Sequence, residues 1–249
     1  MTPVAIIGGS GLTQLNNLQI TRREVVPTPY GEPSAPMVFG LLGGREVVFL
    51  PRHGADHTIP PHRINYRANI WALREAGVQQ IIAVAAVGGI ANHLAAGDLL
   101  FPDQIIDYTY GREHTFFDGA DRKVTHVDFS YPYSAELRAT LIEAAHRAGI
   151  AVVELGTYGA TQGPRFETVA EIRRMERDGA DVVGMTGMPE AALARELNLA
   201  YAAVALVVNP AAGKTDAIIS LEEIETCLRQ GMLKVRSLLE HAIPLLTSV

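Results

Sequence analysis

One cysteine, Cys227, occurs in 249 residues, which forbids an internal disulfide and a cysteine-based zinc site and gives no sign of an oxidising compartment. A cytoplasmic location is expected. An excess of positive charge is also missing: Lys and Arg number 21 against 27 Asp and Glu, a formal net charge of −6, so there is no broad basic footprint for nucleic acid or an anionic membrane. Any anion must be held locally. The stretch from Met1 to Gly8 lacks the basic-then-apolar run of a signal peptide, and the longest apolar stretches, near Ile81 to Ala91 and Ala200 to Val208, are too short to span a bilayer. Both suit buried strands. Low-complexity tracts, internal repeats and an interdomain linker are absent too, and 48% hydrophobic against 19% charged residues excludes a disordered composition. A single α/β domain over 1–249 is expected, long enough to bury a core without covalent staples.

What is present is an alternation of strand-length apolar runs with amphipathic stretches of helix length, the pattern of a largely parallel sheet flanked by helices. Strands fit Val4 to Ile7, Val38 to Leu42, Glu46 to Leu50, Ile81 to Ala86, Ala151 to Tyr158, Val182 to Gly184 and Tyr201 to Val208. Gly43-Gly44 suits a hairpin. Helices fit Tyr66 to Ala76, Ala135 to Ala148, Val169 to Asp178, Pro189 to Leu197 and Leu221 to Leu246. Thr168-x-x-Glu171 and Ser220-x-x-Glu223 read as capping boxes, and Gly77, Gly149 and Gly179 stand where helices should end. The polar stretch Thr109 to Thr125 reads as an ordered surface loop or a subunit contact.

Four loops follow apolar strands, where ligands bind in open α/β sheets. In Gly8-Gly9-Ser10-Gly11 the glycines let backbone N–H groups approach an anion and Ser10 adds a hydroxyl, although a tight turn without function would look the same. The later glycine of a dinucleotide fingerprint and the Gly-Lys-Ser/Thr of a triphosphate loop are missing. The second loop, Pro51-Arg52-His53-Gly54-Ala55-Asp56-His57, sets an arginine fork beside histidines, suited to phosphate oxygens. His53 and His57 could instead ligate a metal, but the glycine between them and Pro60-Pro61 beyond argue against the helix that would align them. A solvated surface loop is the plain alternative.

In the third loop, Thr161 to Glu167, Phe166 offers a stacking face and Glu167 an acceptor for a planar base carrying an N–H, unless Phe166 is core and Glu167 only complements a helix dipole. The fourth comprises Gly184 to Glu190 with the strand end Val207-Val208-Asn209-Pro210. Thr186 precedes a helix whose first turn suits Pro189, so hydroxyl and backbone donors could meet an anion, while Met185 and Met188 are the kind of residue that packs.

Together these residues resemble the trimeric purine nucleoside phosphorylase and methylthioadenosine phosphorylase family. The resemblance rests on Ile6 to Leu12, Arg52-His53-Gly54 with His57, Asn65 to Leu73, Gly163-Pro164-Arg165-Phe166-Glu167 and Met185-Thr186-x-x-Pro189-Glu190, in order along nearly the whole chain. It implies a single-domain α/β fold with a mixed central sheet, a homotrimer, no metal and no cofactor, with inorganic phosphate as co-substrate for phosphorolysis of a purine nucleoside. Carried over by position, Ser10, Arg52, His53 and Thr186 resemble the phosphate set and Met185 the residue under the ribose. Phe166, Glu167 and Asn209 would surround the purine, and His126 would reach a neighbouring subunit's site near the 5′ end. Ala85 departs from the pattern, since many relatives have threonine or asparagine there and a methyl group cannot donate to phosphate.

The resemblance gives a mixed answer about the nucleoside. Glu167-Thr168 and Asn209 are similar to the members that act on 6-oxopurines, whereas methylthioadenosine members tend to carry serine at the Glu167 position and aspartate at those of Asn209 and Ala211. Members that use ordinary nucleosides place a histidine near the start of the last helix to meet the 5′-hydroxyl; here Leu221 takes that place, with Ile224 one turn on, an apolar wall suited to a methylthio group. The expected substrate is therefore 5′-methylthioinosine. Methylthioadenosine phosphorolysis, inosine and guanosine phosphorolysis, a purine-binding module and a dinucleotide-dependent oxidoreductase are the alternatives.

Overall fold

The strand β1 (Val4–Gly8) has every residue buried, as a run of apolar side chains covered on both faces requires. It pairs in parallel with β4 (Arg45–Pro51) on one side and with β5 (Gln80–Gly89) on the other. The computed structural model describes residues 3–12, 17–119, 123–216 and 218–247. Beyond β4 the sheet continues antiparallel through β3 (Met37–Leu42) to the edge strand β2 (Gln19–Glu24). The expected hairpin joins β3 to β4, with Gly43 and Gly44 both at positive φ. Two-residue strands β6 (Leu99–Leu100) and β8 (Val152–Val153), together with β7 (Gln104–Asp107), β9 (Thr157–Ala160), β10 (Val182–Gly184) and β11 (Ala200–Pro210), complete an 11-stranded mixed sheet.

Alternate residues of the central strands feed two apolar layers, the consequence of the period-2 pleat. Ala5, Ile7, Val48, Leu50, Ile81 and Ala83 share a cluster with residues of α1 (Tyr66–Glu75) and α4 (Gly187–Glu196). Val4, Ile6, Val47, Phe49, Ile82 and Val84 pack in another with α2 (Ala135–Arg147) and α5 (Leu221–Ala242). The remaining helix, α3 (Val169–Asp178), packs through Ile172 and Met175 against Ile90, Val183 and Ala211.

Helix starts follow their polar caps. Thr168 and Glu171 form both halves of the expected capping box, and α3 has the expected bounds. Ser220 makes the hydroxyl half at α5, accepting the Glu223 amide at 3.4 Å. Three expectations are corrected. The single strand expected over Ala151 to Tyr158 is two strands, broken where the Gly156 amide turns to Asp103 at 2.9 Å. The last helix ends at Ala242 and tightens into a 3₁₀ turn over Ile243–Leu245, because Pro244 has no N–H for the next helical bond. The segment from Thr109 is not simply a surface loop, since Arg112 and Phe116 are buried; residues 120–122 of it lie outside the described ones. Among the described residues no helix is long and apolar enough to cross a membrane.

Sheet topology opens the site. β11 runs along one edge of β5 for its whole length, from Ala200 opposite Gln80 to Pro210 opposite Gly89. On the other edge β1 pairs only as far as Ala83, and the antiparallel β10 meets only Gly88 and Gly89. The edge from Val84 to Val87 is therefore left without a strand, and the loops after β1 and β4 gather at that gap.

Candidate active site

A cavity of about 190 Å³ sits at the opening, and Ser10, Arg52, His53, Phe166, Glu167, Met185, Thr186, Asn209 and Ile224 all line it. Residues expected from four separate loops thus meet in one place. Leu221 and His126 are not among its lining.

Gly9 lets the first loop reach the free edge of β5, because a Cβ there would lie 2.6 Å from the Val84 carbonyl oxygen. Arg52 fills the space alongside. Its Nη1 donates to that same carbonyl at 3.0 Å, while Nε and Nη2 donate to the two carboxylate oxygens of Glu190 at 2.7 and 2.9 Å. Tyr201 donates its hydroxyl to Glu190 at 2.9 Å, and Arg52 and Glu190 are both buried. Burial alone would lower the Arg52 pKa, but the charge of Glu190 and its hydrogen bonds outweigh it and raise that pKa. Arg52 is thus no free cation. Three of its five N–H groups are committed, and Glu190 balances its charge.

His53 places Nδ1 2.8 Å from the Ile59 carbonyl oxygen. A carbonyl can only accept, so Nδ1 carries the proton and Nε2 of the neutral ring is an acceptor. Burial first, then the Arg52 charge, push the His53 pKa down to about 4. The His57 ring lies tilted against that of His53, 4.5 Å between ring centres, and its Nε2 lies 3.4 Å from the Ser10 hydroxyl. Thr186 precedes α4, makes no capping bond with its own hydroxyl and donates its amide to the Tyr158 hydroxyl at 3.4 Å. Regular helical geometry resumes after Met188, so Pro189 opens the first turn as expected. Hydroxyls and the uncommitted N–H groups of a charge-balanced guanidinium can donate to an anion without net positive charge, while His53 Nε2 can only accept, as from the P–OH of a protonated phosphate. Among the described residues no group of three or more His, Cys, Asp or Glu could hold a metal.

At the other end Phe166 is 44% exposed and lines the cavity, so it is not core. Glu167 accepts the Thr161 hydroxyl at 2.7 Å through Oε1. Asn209 follows a bulge between Val207 and Asn209 in β11, and its amide donates to the Pro210 carbonyl at 2.6 Å. The loops on this side are stapled by buried Arg112, whose guanidinium donates to the carbonyls of Thr161, Gln162, Met185 and Met188 and to the Tyr66 hydroxyl at 2.6 to 3.1 Å.

The apolar wall is Ile219, Ile224 and Leu228. Leu221 was expected there and is not: as the first residue of α5 it sits beyond the cavity, 65% exposed, and Ile219 from the preceding segment takes its place. Ile224 and Leu228, one turn apart on α5, supply the rest. His126 lies on an exposed segment and does not reach its own chain's cavity.

Sequence reasoning assigned no role to Glu190, Arg112 or Thr161. Glu190 stands within a recognised motif, but a carboxylate in the first turn of a helix reads as a dipole partner. Arg112 carries no local signal, since its partners lie 46 to 76 residues away, and Thr161, six residues before Glu167 in the third loop, is not set apart from its polar neighbours by the sequence.

The sequence profile of the Phosphorylase superfamily matches residues 3–244. A probable S-methyl-5′-thioinosine phosphorylase of Pseudomonas syringae pv. tomato is 57% identical over 98% of this chain and 99% of its own length. A 6-oxopurine nucleoside phosphorylase of Pyrococcus furiosus is 48% identical over 99% of this chain and 94% of that one. Methylthioadenosine phosphorylase from Schistosoma mansoni, solved in complex with adenine, superimposes with a TM-score of 0.95 at 34% identity, covering 98% of this chain and 92% of that chain.

Proposed function

The chain belongs to the phosphorylase superfamily, and on that premise we propose that it converts 5′-methylthioinosine and inorganic phosphate to hypoxanthine and 5-methylthioribose 1-phosphate, without metal or cofactor. The observation that carries this reading is the joint presence, in one cavity, of the Glu167 carboxylate and the Asn209 amide with an apolar wall of Ile219, Ile224 and Leu228. An ionised carboxylate accepts the N1–H of a 6-oxopurine, whereas adenine turns an N1 lone pair toward it. The apolar wall accommodates a methylthio group and offers a 5′-hydroxyl no partner.

As the glycosidic bond stretches, the sugar becomes oxocarbenium-like and the purine gains negative charge, so stabilisation belongs at the base and at the phosphate nucleophile. Asn209 donates to N7 or O6, and Glu167 fixes the base through N1–H. Ser10, Arg52, His53 and Thr186 hold phosphate near the anomeric carbon, Met185 lies beneath the ribose and Phe166 stacks on the purine. Three copies are proposed to assemble, with His126 reaching a neighbour's 5′ end. In support, Tyr110, Val124 and Tyr131 on the same stretch of chain are more than two-thirds exposed.

The test is phosphate-dependent base release from methylthioinosine, methylthioadenosine, inosine and guanosine side by side, with and without chelator. Methylthioinosine should lead methylthioadenosine by at least about tenfold in kcat/KM, and chelator should change nothing. Preference for methylthioadenosine would overturn the roles given to Glu167 and Asn209. Purine binding without base release would leave only a binding module.

A further inference from the structure

We propose that Thr161 is a specificity-determining positioning residue, whose hydroxyl holds Glu167 in the orientation that accepts from a 6-oxopurine and refuses a 6-aminopurine. The proposal rests on the role of Glu167 given above. Thr161 follows β9 and is 7% exposed. Its backbone is fixed on both sides, the amide donating to the Gly184 carbonyl at 2.8 Å and the carbonyl accepting from Arg112 Nη2 at 3.0 Å. The hydroxyl lies 2.7 Å from Glu167 Oε1 and 3.2 Å from the Gly184 oxygen. It has one proton to give, and the shorter contact is to a carboxylate, whose charge strengthens the bond, while the Gly184 carbonyl already has the Thr161 amide.

Glu167 stands on a wall between two cavities. It lines the one already described and a second of about 150 Å³ bounded by Tyr108, Tyr110, Gln162 and Arg174. Thr161 lines only the second, so it grips the carboxylate from behind and acts on a base through Glu167 alone. The neighbouring cation does not do this work: Arg165 is engaged by Glu171 in two bonds of 2.8 and 2.9 Å. A neutral hydroxyl orients the carboxylate without neutralising it, leaving its second oxygen and its charge for N1–H. Without that grip the carboxylate can turn toward the 6-amino protons of adenine, and the refusal weakens.

Thr161→Val keeps the shape and removes the donor, and Thr161→Ser keeps the donor. Relative to wild type, Thr161→Val should narrow the methylthioinosine to methylthioadenosine ratio of kcat/KM by at least about fivefold, chiefly by loss on the oxopurine, with the phosphate KM unchanged. Thr161→Ser should retain the wild-type ratio. Thermal melting confirms that each variant folds, and Thr161→Ala replaces the valine variant if it does not. A wild-type ratio in the valine or alanine variant, or an equal fall for both nucleosides, overturns the role of Thr161 while the function stands. A wild-type enzyme that prefers methylthioadenosine overturns both.

Discussion

Arg52 and Glu190 meet as a buried two-bond ion pair, Nε to Oε2 at 2.7 Å and Nη2 to Oε1 at 2.9 Å, with the guanidinium lining the cavity and Tyr201 donating to Glu190 at 2.9 Å. The pair separates two effects that a single substitution confuses. Arg52→Ala strands a buried carboxylate, which costs about 3–5 kcal/mol of stability, and also removes a donor from the proposed phosphate end. Arg52→Met with Glu190→Leu removes both charges and should recover most of that stability. The phosphate KM should remain raised in the double variant. Chemical denaturation and phosphate saturation curves on the same proteins check this, and a normal phosphate KM in the double variant would take Arg52 out of the phosphate site.

His53 supplies a pH signature. Burial and the Arg52 charge hold its pKa at about 4 in the folded chain against 6.5 ordinarily. Between those values the unfolded chain binds the proton and the folded chain does not, so His53 makes stability fall as pH drops from about 6.5 toward 4. Above that window the contribution vanishes. His53→Phe should flatten this part of the curve of Tm against pH while leaving the neutral region less affected; an unchanged slope would show that His53 is not the group excluded from protonation.

Legibility in the sequence followed how local each signal is. β1 and the Gly8 to Gly11 loop could be read because an apolar run and a glycine cluster are adjacent, and α3 because its cap and its C-terminal Gly179 are both local. β2 could not, since all six of its residues are exposed and carry no alternation, and β6 is only two residues long. The cavity-lining residues of the four loops could be read because each loop follows a strand. Their supports could not: Arg112 reaches loops 49 to 76 positions away, and Glu190 lies 138 residues from Arg52. The start of α5 at Leu221 is legible from its cap, but the resemblance sets that residue at the 5′ wall by position alone, and only the structure shows that it lies outside the cavity while Ile219 and Ile224 line it.

The apolar wall predicts which residues set the 5′ preference. Ile224→Asn places an amide where a methylthio group would pack and should shift the methylthioinosine to inosine ratio toward inosine by about 1–3 kcal/mol. Leu221→His should leave that ratio within about twofold, because an exposed side chain outside the cavity gives a ligand little differential binding. Paired kcat/KM measurements on the two variants decide the matter. A large effect at Leu221 with none at Ile224 would restore the assignment made from sequence.

Base choice can be reversed only by changing two residues together. Asn209 alone does not exclude an aminopurine, because an amide can pair with both N6 and N7 of adenine. The exclusion lies with Glu167, whose carboxylate would face the adenine N1 lone pair, acceptor against acceptor, at about 1–3 kcal/mol or more. Glu167→Ser replaces that acceptor with a hydroxyl able to donate to N1, which removes the refusal without creating a preference. Adding Asn209→Asp supplies a group that, when protonated, donates to N7 and accepts from the 6-amino group. The double variant should therefore favour methylthioadenosine over methylthioinosine, while Glu167→Ser alone should bring the two within about tenfold. Steady-state kcat/KM on both nucleosides checks the order of the three proteins, wild type and the two variants. Because neither substitution touches the apolar wall, both variants should still prefer a 5′-methylthio group to a hydroxyl, and loss of that preference would mean that the substitutions had disturbed the whole cavity.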